Sequence, residues 1–312
     1  MAGPNGSSFA DDAPGPVGGC PQCDCKEQIE KLEEEIEELE EAVTDRALAE
    51  ATYTPGGPLP EGYRNATDAE LEALGLKDGD NSLLRMDDSD FQAEVYVHQD
   101  AAGDDLYTVG FRGTQTGGDW GQNFKQGLGW ESPYYDRAAR IATRIETAAP
   151  GRVSYTGHSL GGGLASAAGG VNGAETRTFN AAGLHENTIE KAGANHGNTT
   201  AYYLNQDPLS RSAAGIGMMP EAVGNRIGYE RVHEWAPAER AILDEQAARE
   251  YNWLERKVGR PALDRKIAEG KAEAKRQLRY HGTPELGEAM QNDLDDKKEQ
   301  LEALREGPCK NT

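Results

Sequence analysis

The chain has 312 residues, 37% of them apolar, with 32 Lys plus Arg against 54 Asp plus Glu, a formal net charge of −22. That length holds one catalytic domain of ordinary α/β size with smaller appendages. The charge argues against a nucleic-acid partner, which needs a basic face, and against attraction to anionic membranes, so any lipid contact has to be local and apolar.

No apolar run approaches the roughly 20 residues that span a bilayer. The start, MAGPNGSSFADDAPGP, has neither a basic segment nor an apolar core. The reading is a protein made in the cytoplasm without a Sec signal, with secretion by a signal-independent route left open.

Residues 1–25 form an arm, disordered by composition over 1–19 and ending in CPQCDC. Cys20, Cys23 and Cys25 are closely spaced candidate thiolate ligands for a structural zinc, which usually takes four. Cys309, a histidine or another chain would complete the set, and free thiols on a flexible arm are the plainer alternative. None of the four cysteines falls in the expected catalytic core, so no disulfide framework supports it.

Residues 26–50 read as a helix whose Ile29, Leu32, Ile36, Leu39 and Val43 fall at steps of three and four. This is a short coiled-coil seam docking on another copy or a different protein, or else a helix packing on its own domain. Its acidic face would repel itself in a parallel homodimer, favouring a basic partner or an intramolecular clamp. Residues 51–62, with Gly56, Gly57, Pro58 and Pro60, read as a linker, leaving 63–312 as the catalytic domain.

Within that domain FQAEVYVHQD and LYTVGFRG predict two strands around a turn. PYYDRAARIATRIETAA (133–149) predicts a helix; GRVSYTG, TRTFNAAG and TTAYYLN (199–205) predict strands, and LGGGLASAAGG a helix of small residues. Strands alternating with helices imply a largely parallel sheet, hence an α/β fold. From about residue 236 the chain reads as a charged helical insertion or extension, whose last helix carries Leu286, Met290, Leu294, Leu301 and Leu304 on one stripe.

The strongest chemical signal is Gly157-His158-Ser159-Leu160-Gly161, between a strand and a small-residue helix. That is the context of a nucleophile elbow, in which a strained turn lifts the serine off the sheet edge and glycines allow strand and helix to pass closely. Ser159 is therefore the candidate nucleophile of an α/β-hydrolase. Asp207, just past the TTAYYLN strand, is the candidate acid, with an Asx-turn before Pro208 as the plain alternative. In the order Ser, Asp, His only His233 and His281 remain as bases; His98, His185 and His196 come too early and His158 lies within the elbow.

GHSLGGGLAS, with VGFRGTQTGGDW upstream, resembles class 3 lipases, and the resemblance spans about residues 90–290. It implies that Thr114, after Phe-Arg-Gly, forms an oxyanion hole with the backbone N–H of Leu160. It places Trp120, after Gly117 and Gly118, in a movable lid, with a core aromatic as the alternative; Phe124, Leu128 and Trp130 add an apolar face there. In bacterial phospholipase-like relatives the histidine precedes a final helix and follows a Gly-containing loop. EAVGNRIGYE resembles that loop and HGTPELGEAM the histidine and helix, so His281 is the preferred base and His233 the alternative.

The expected function is a serine ester hydrolase, a lipase or phospholipase A releasing fatty acid through an acyl-enzyme, with no catalytic cofactor. The architecture also resembles antibacterial lipase effectors of type VI secretion systems, which implies a secretion-apparatus carrier or an immunity protein as partner. The alternatives are a soluble carboxylesterase or thioesterase, and a catalytically inactive hydrolase-fold adaptor.

Overall fold

The computed structural model describes residues 21–87, 89–114, 133–192, 195–207, 220–233, 245, 281–307 and 309. The first half of the chain forms α1 (Pro21–Ala51), β1 (Arg64–Asn65), α2 (Asp68–Ala73), β2 (Lys77–Asp78), β3 (Asn81–Ser82), β4 (Ala93–Gln99) and β5 (Asp105–Phe111). Then come α3 (Pro133–Ala148), β6 (Val153–His158), α4 (Leu160–Asn172), β7 (Thr176–Phe179), α5 (Glu186–Ala192), β8 (Thr199–Leu204), β9 (Asn225–Tyr229) and α6 (Thr283–Glu306). The described residues divide into a larger unit, within Leu39–Leu294, and a smaller one combining the start of α1 up to Glu38 with the end of α6 from Asp295.

The larger unit is built on a seven-stranded sheet of order β1-β4-β5-β6-β7-β8-β9. β1, β4 and β5 pair antiparallel, and β5 through β9 run parallel, as the alternation of strands and helices implied. The β4–β5 hairpin closes through a turn in which Gly103 has φ 86 and Asp100 Oδ1 accepts the N–H groups of Ala102 and Asp104. α3 buries Tyr135, Ala138, Ile141, Ala142 and Ile145 at helical spacing. With Phe111, Tyr155 and Leu164 they form one apolar cluster. Gly161 through Gly170 of α4 are all buried. Small side chains let this helix lie close to the sheet on one side and to α3 on the other.

EAVGNRIGYE, read above as a loop, contains a strand. Residues 225–229 pair in parallel with β8, from Thr200↔Asn225 to Leu204↔Tyr229. Its glycines answer to crowding: Gly224 has φ 90, and an added Cβ there would stand 2.2 Å from the Thr199 carbonyl oxygen.

The end of α1 is part of the larger unit, Leu39–Leu294. Leu48 and Ala49 are fully buried. Thr156 Oγ1 donates to the Asp45 carbonyl (3.0 Å), and Gln92 Nε2 to the Thr52 carbonyl (3.2 Å). Arg177 on β7 is buried among the carboxylates of Asp45, Glu41 and Glu175. A buried guanidinium is tolerated only when its charge is matched in this way.

In the smaller unit the start of α1 and the end of α6 run antiparallel. Cys25 is disulfide-bonded to Cys309, Glu33 pairs with Arg305, and Glu35 pairs with Lys297 at 2.6 Å. Leu32 and Ile36 of the seam are buried. The seam spacing announces a buried helix face without saying what covers it. With its sulfur in a disulfide, Cys25 is not a thiolate in this state; Cys20 and the Cys23 side chain lie outside the described residues, as do 1–19 and, apart from Glu245, 236–280.

Candidate active site

The parallel strands end on one edge, and the chemistry-bearing residues follow those ends, where α/β sheets place their sites. Gly113 and Thr114 come after β5, Ser159 after β6, Asn180 after β7 and Asp207 after β8, while His281 precedes α6.

Ser159 sits at φ 61, ψ −127, a strained conformation for a residue with a side chain. Such strain costs on the order of 1–3 kcal/mol and persists only where the surroundings enforce it. Here they do: Ser159 N–H donates to the Phe179 carbonyl (3.1 Å), and the Ser159 carbonyl accepts from Gly162 (3.0 Å), Gly163 (3.3 Å) and Ala182 (2.9 Å). A Cβ on Gly157 would come 2.3 Å from the Gly161 carbonyl oxygen, and one on Gly161 would come 2.0 Å from that of Phe111. Both glycines of the elbow are fixed by these close approaches.

Ser159, His281 and Asp207 lie in a line. Ser159 Oγ is 2.7 Å from His281 Nε2, and His281 Nδ1 is 2.7 Å from Asp207 Oδ1. Asp207 is fully buried, and Ser159 and His281 are 3% and 6% exposed. A buried carboxylate beside Nδ1 keeps the proton on that nitrogen and leaves Nε2 as acceptor for the serine hydroxyl. His233, the alternative base, lies elsewhere: its half-exposed ring meets Glu288, with Nε2 2.9 Å from Oε1.

Thr114 lines a cleft of about 310 Å³ together with Ser159 and His281; Glu50, Tyr53 and Thr54 also line it. Leu160 is the first residue of α4, so its N–H has no intrahelical partner and points from the positive end of the helix dipole. The region of Gly117, Gly118, Trp120, Phe124, Leu128 and Trp130, expected to form a lid, lies outside the described residues.

Two site residues escape sequence reading. Asn180, at φ 44, receives the Leu204 N–H on its Oδ1 (3.0 Å) and donates Nδ2–H to the His281 carbonyl (3.1 Å), tying the end of β8 to the histidine. Tyr53 belongs to the stretch taken for a linker. Its hydroxyl accepts the Gly113 N–H (3.1 Å) and is 3.0 Å from His158 Nδ1. His158 Nε2 in turn is 2.6 Å from the His281 carbonyl oxygen. Burial, followed by the neighbouring His281, pushes the His158 pKa down to about 3, and burial pushes the Tyr53 phenol up to about 12. Both are neutral at ordinary pH.

Residues 44–245 match the family described as Tle-like phospholipase domain, so His281 falls beyond the matched span. An extracellular phospholipase A1 of Serratia liquefaciens is 29% identical over 206 residues, 61% of this chain and 62% of that protein. The chain thus aligns with less than two thirds of that relative's length. Among solved structures, a mutant form of MDLA from Penicillium cyclopium aligns at 15% identity over 68% of this chain and 84% of that one, with a TM-score of 0.36. The native Rhizomucor miehei lipase propeptide complex aligns at 15% identity over 60% and 81%, with a TM-score of 0.32.

Proposed function

The chain belongs to the Tle-like phospholipase domain family, a lipase or phospholipase ester hydrolase, and from that premise we propose that it cleaves the acyl esters of phospholipids through a covalent acyl-serine. The observation that carries this reading is the Ser159–His281–Asp207 line.

In this reading His281 Nε2 takes the Ser159 proton while Oγ attacks the ester carbonyl. Asp207 holds the imidazole tautomer and stabilises the imidazolium that forms. The oxyanion of the tetrahedral intermediate is met by the N–H groups of Leu160 and Thr114. His281 then passes its proton to the departing lysophospholipid oxygen. Water, deprotonated by the same imidazole, releases the fatty acid and restores Ser159. The reaction draws on these side chains, the two backbone N–H groups and water, without a catalytic cofactor.

Phospholipid as substrate is supported by the family and by the Serratia relative, whose name gives phospholipase A1. A formal charge of −22 opposes adsorption to strongly anionic surfaces, so the lipid is reached by local apolar contact. No helix among the described residues is long and apolar enough to cross a membrane. A role as a secreted antibacterial effector, with a carrier or immunity protein as partner and secretion by a signal-independent route, is the biological extension of this proposal. A structural zinc on Cys20 and Cys23 also stays a proposal; it requires ligands other than Cys25 while the disulfide to Cys309 is formed.

The test is fatty-acid release from mixed phospholipid vesicles by wild type and by Ser159→Ala, with a soluble short-chain ester alongside. Release from vesicles by wild type alone supports the proposal. Cleavage of the short ester without release from vesicles makes the protein a soluble esterase. Equal activity of Ser159→Ala on either substrate removes the serine mechanism.

A further inference from the structure

His158 is a buried titratable group that the proposed reaction does not use. It lies one residue before the nucleophile, with its ring centroid 4.8 Å from that of His281. Its partners fix its tautomer. Nε2 faces the His281 carbonyl oxygen at 2.6 Å, and a carbonyl only accepts, so Nε2 carries the hydrogen. In the neutral ring Nδ1 is then an acceptor, and the Tyr53 hydroxyl at 3.0 Å donates to it. The Tyr53 oxygen accepts the Gly113 N–H at 3.1 Å. Each link therefore has one direction, from Gly113 through Tyr53 to His158, and from His158 to the main chain of His281.

We propose that Tyr53 and His158 are positioning residues, forming a buried brace that sets the distance between the oxyanion loop at Gly113-Thr114 and the main chain of His281. The inference rests on the serine-hydrolase reading of Ser159 and adds to it the groups that hold its parts in register.

Two further observations support the brace. A Cβ at position 113 would stand 2.2 Å from the Tyr53 hydroxyl oxygen and 2.7 Å from the His158 carbonyl oxygen, so glycine lets both approach the loop. The His281 carbonyl also accepts from Asn180 Nδ2 at 3.1 Å, so two side chains converge on one backbone atom of the histidine. Thr114 stands on no strand or helix, and such a residue depends on tertiary ties for its placement. A misplacement of about 1 Å costs on the order of 100-fold in rate.

The experiment compares wild type, Tyr53→Phe, His158→Leu and the double variant on a soluble short-chain ester. Rates are expressed per active site titrated with a fluorophosphonate, and Ser159→Ala is the control. Tyr53→Phe keeps the ring and removes one hydroxyl. The brace predicts that it lowers kcat roughly 10- to 100-fold while leaving KM within about twofold. It also predicts that Tyr53→Phe adds little once His158 is Leu, because the line is already cut. A kcat per site within about twofold of wild type in Tyr53→Phe overturns the proposal, whether or not His158→Leu folds. So does a loss from Tyr53→Phe of the same size in both backgrounds. If Ser159→Ala keeps full activity, the serine reading falls and the brace with it. If Ser159→Ala is inactive and Tyr53→Phe is unaffected, only the brace falls.

Discussion

His281 Nδ1 lies 2.7 Å from Asp207 Oδ1, although 74 residues separate the two in the chain. The pairing gives the imidazole one orientation, with Nε2 toward Ser159. Asp207→Asn keeps the shape of the site but reverses the tautomer preference. It is expected to lower kcat by about 10⁴-fold, read on a short-chain ester, with the thermal midpoint little changed. The companion change, His233→Ala, removes only a half-exposed contact with Glu288. It is expected to leave the rate within about twofold, as surface substitutions do.

The elbow glycines make a stability prediction with an internal control. A Cβ on Gly161 would meet the Phe111 carbonyl oxygen at 2.0 Å, backbone that cannot give way. Gly161→Ala is expected to cost at least about 3 kcal/mol. Gly197→Ala places its Cβ where nothing lies within 4 Å and is expected to be near neutral. Thermal unfolding of the two variants distinguishes them.

The Cys25–Cys309 disulfide closes a loop across a sequence separation of 284. Reduction is expected to cost about 2–4 kcal/mol of stability. Wild type should lose several degrees of thermal midpoint in reductant, and Cys25→Ser should start from the lower value and not respond. An unchanged wild-type midpoint in reductant would mean that the disulfide contributes nothing.

Glu70 gives a pH dependence. The Arg64 guanidinium, followed by the Thr67 N–H, holds its carboxyl down from 4.5 to about 2. A carboxylate with a depressed folded pKa binds its proton more weakly in the native state than in the unfolded chain. Its stabilisation is complete above the ordinary value and is lost as the pH falls from 4.5 through about 2. Glu70→Gln leaves the reciprocal cap of α2 a side-chain oxygen for the Thr67 N–H but removes the charge paired with Arg64. The variant should melt below wild type at neutral pH, and the gap should narrow steadily between pH 4.5 and 2.

What could be read in advance depended on how local each signal is. The elbow, the β4–β5 hairpin and α3 are written in consecutive residues, as turn glycines, alternation and steps of three and four. Ser159, Asp207 and His281 were each nameable, the last only through the histidine-plus-helix pattern ahead of α6. Tyr53 was not, because the Gly- and Pro-rich stretch just after it marks a turn but not what packs beneath its first residues. Asn180 belongs to no motif; its role shows only as a left-handed backbone and two hydrogen bonds. β9 was taken for a loop because EAVGNRIGYE resembles the Gly-containing loop ahead of the histidine, whereas Gly224 stands where the Thr199 backbone of the neighbouring strand leaves no space for a side chain. The disulfide of Cys25 could not be read either: Cys309 was grouped with Cys25 only as a candidate zinc ligand, because the close spacing of Cys20, Cys23 and Cys25 suits thiolate ligands.

In the proposed reaction Ser159 is a nucleophile activated by His281. The most direct measurement is mass spectrometry of the protein after reaction with a fluorophosphonate, comparing wild type, Ser159→Ala, His281→Ala and His233→Ala. One adduct is expected on the peptide containing Ser159 in wild type and in His233→Ala, none in Ser159→Ala, and labelling slowed by orders of magnitude in His281→Ala. An adduct on another residue, or labelling that survives His281→Ala and fails in His233→Ala, would contradict it.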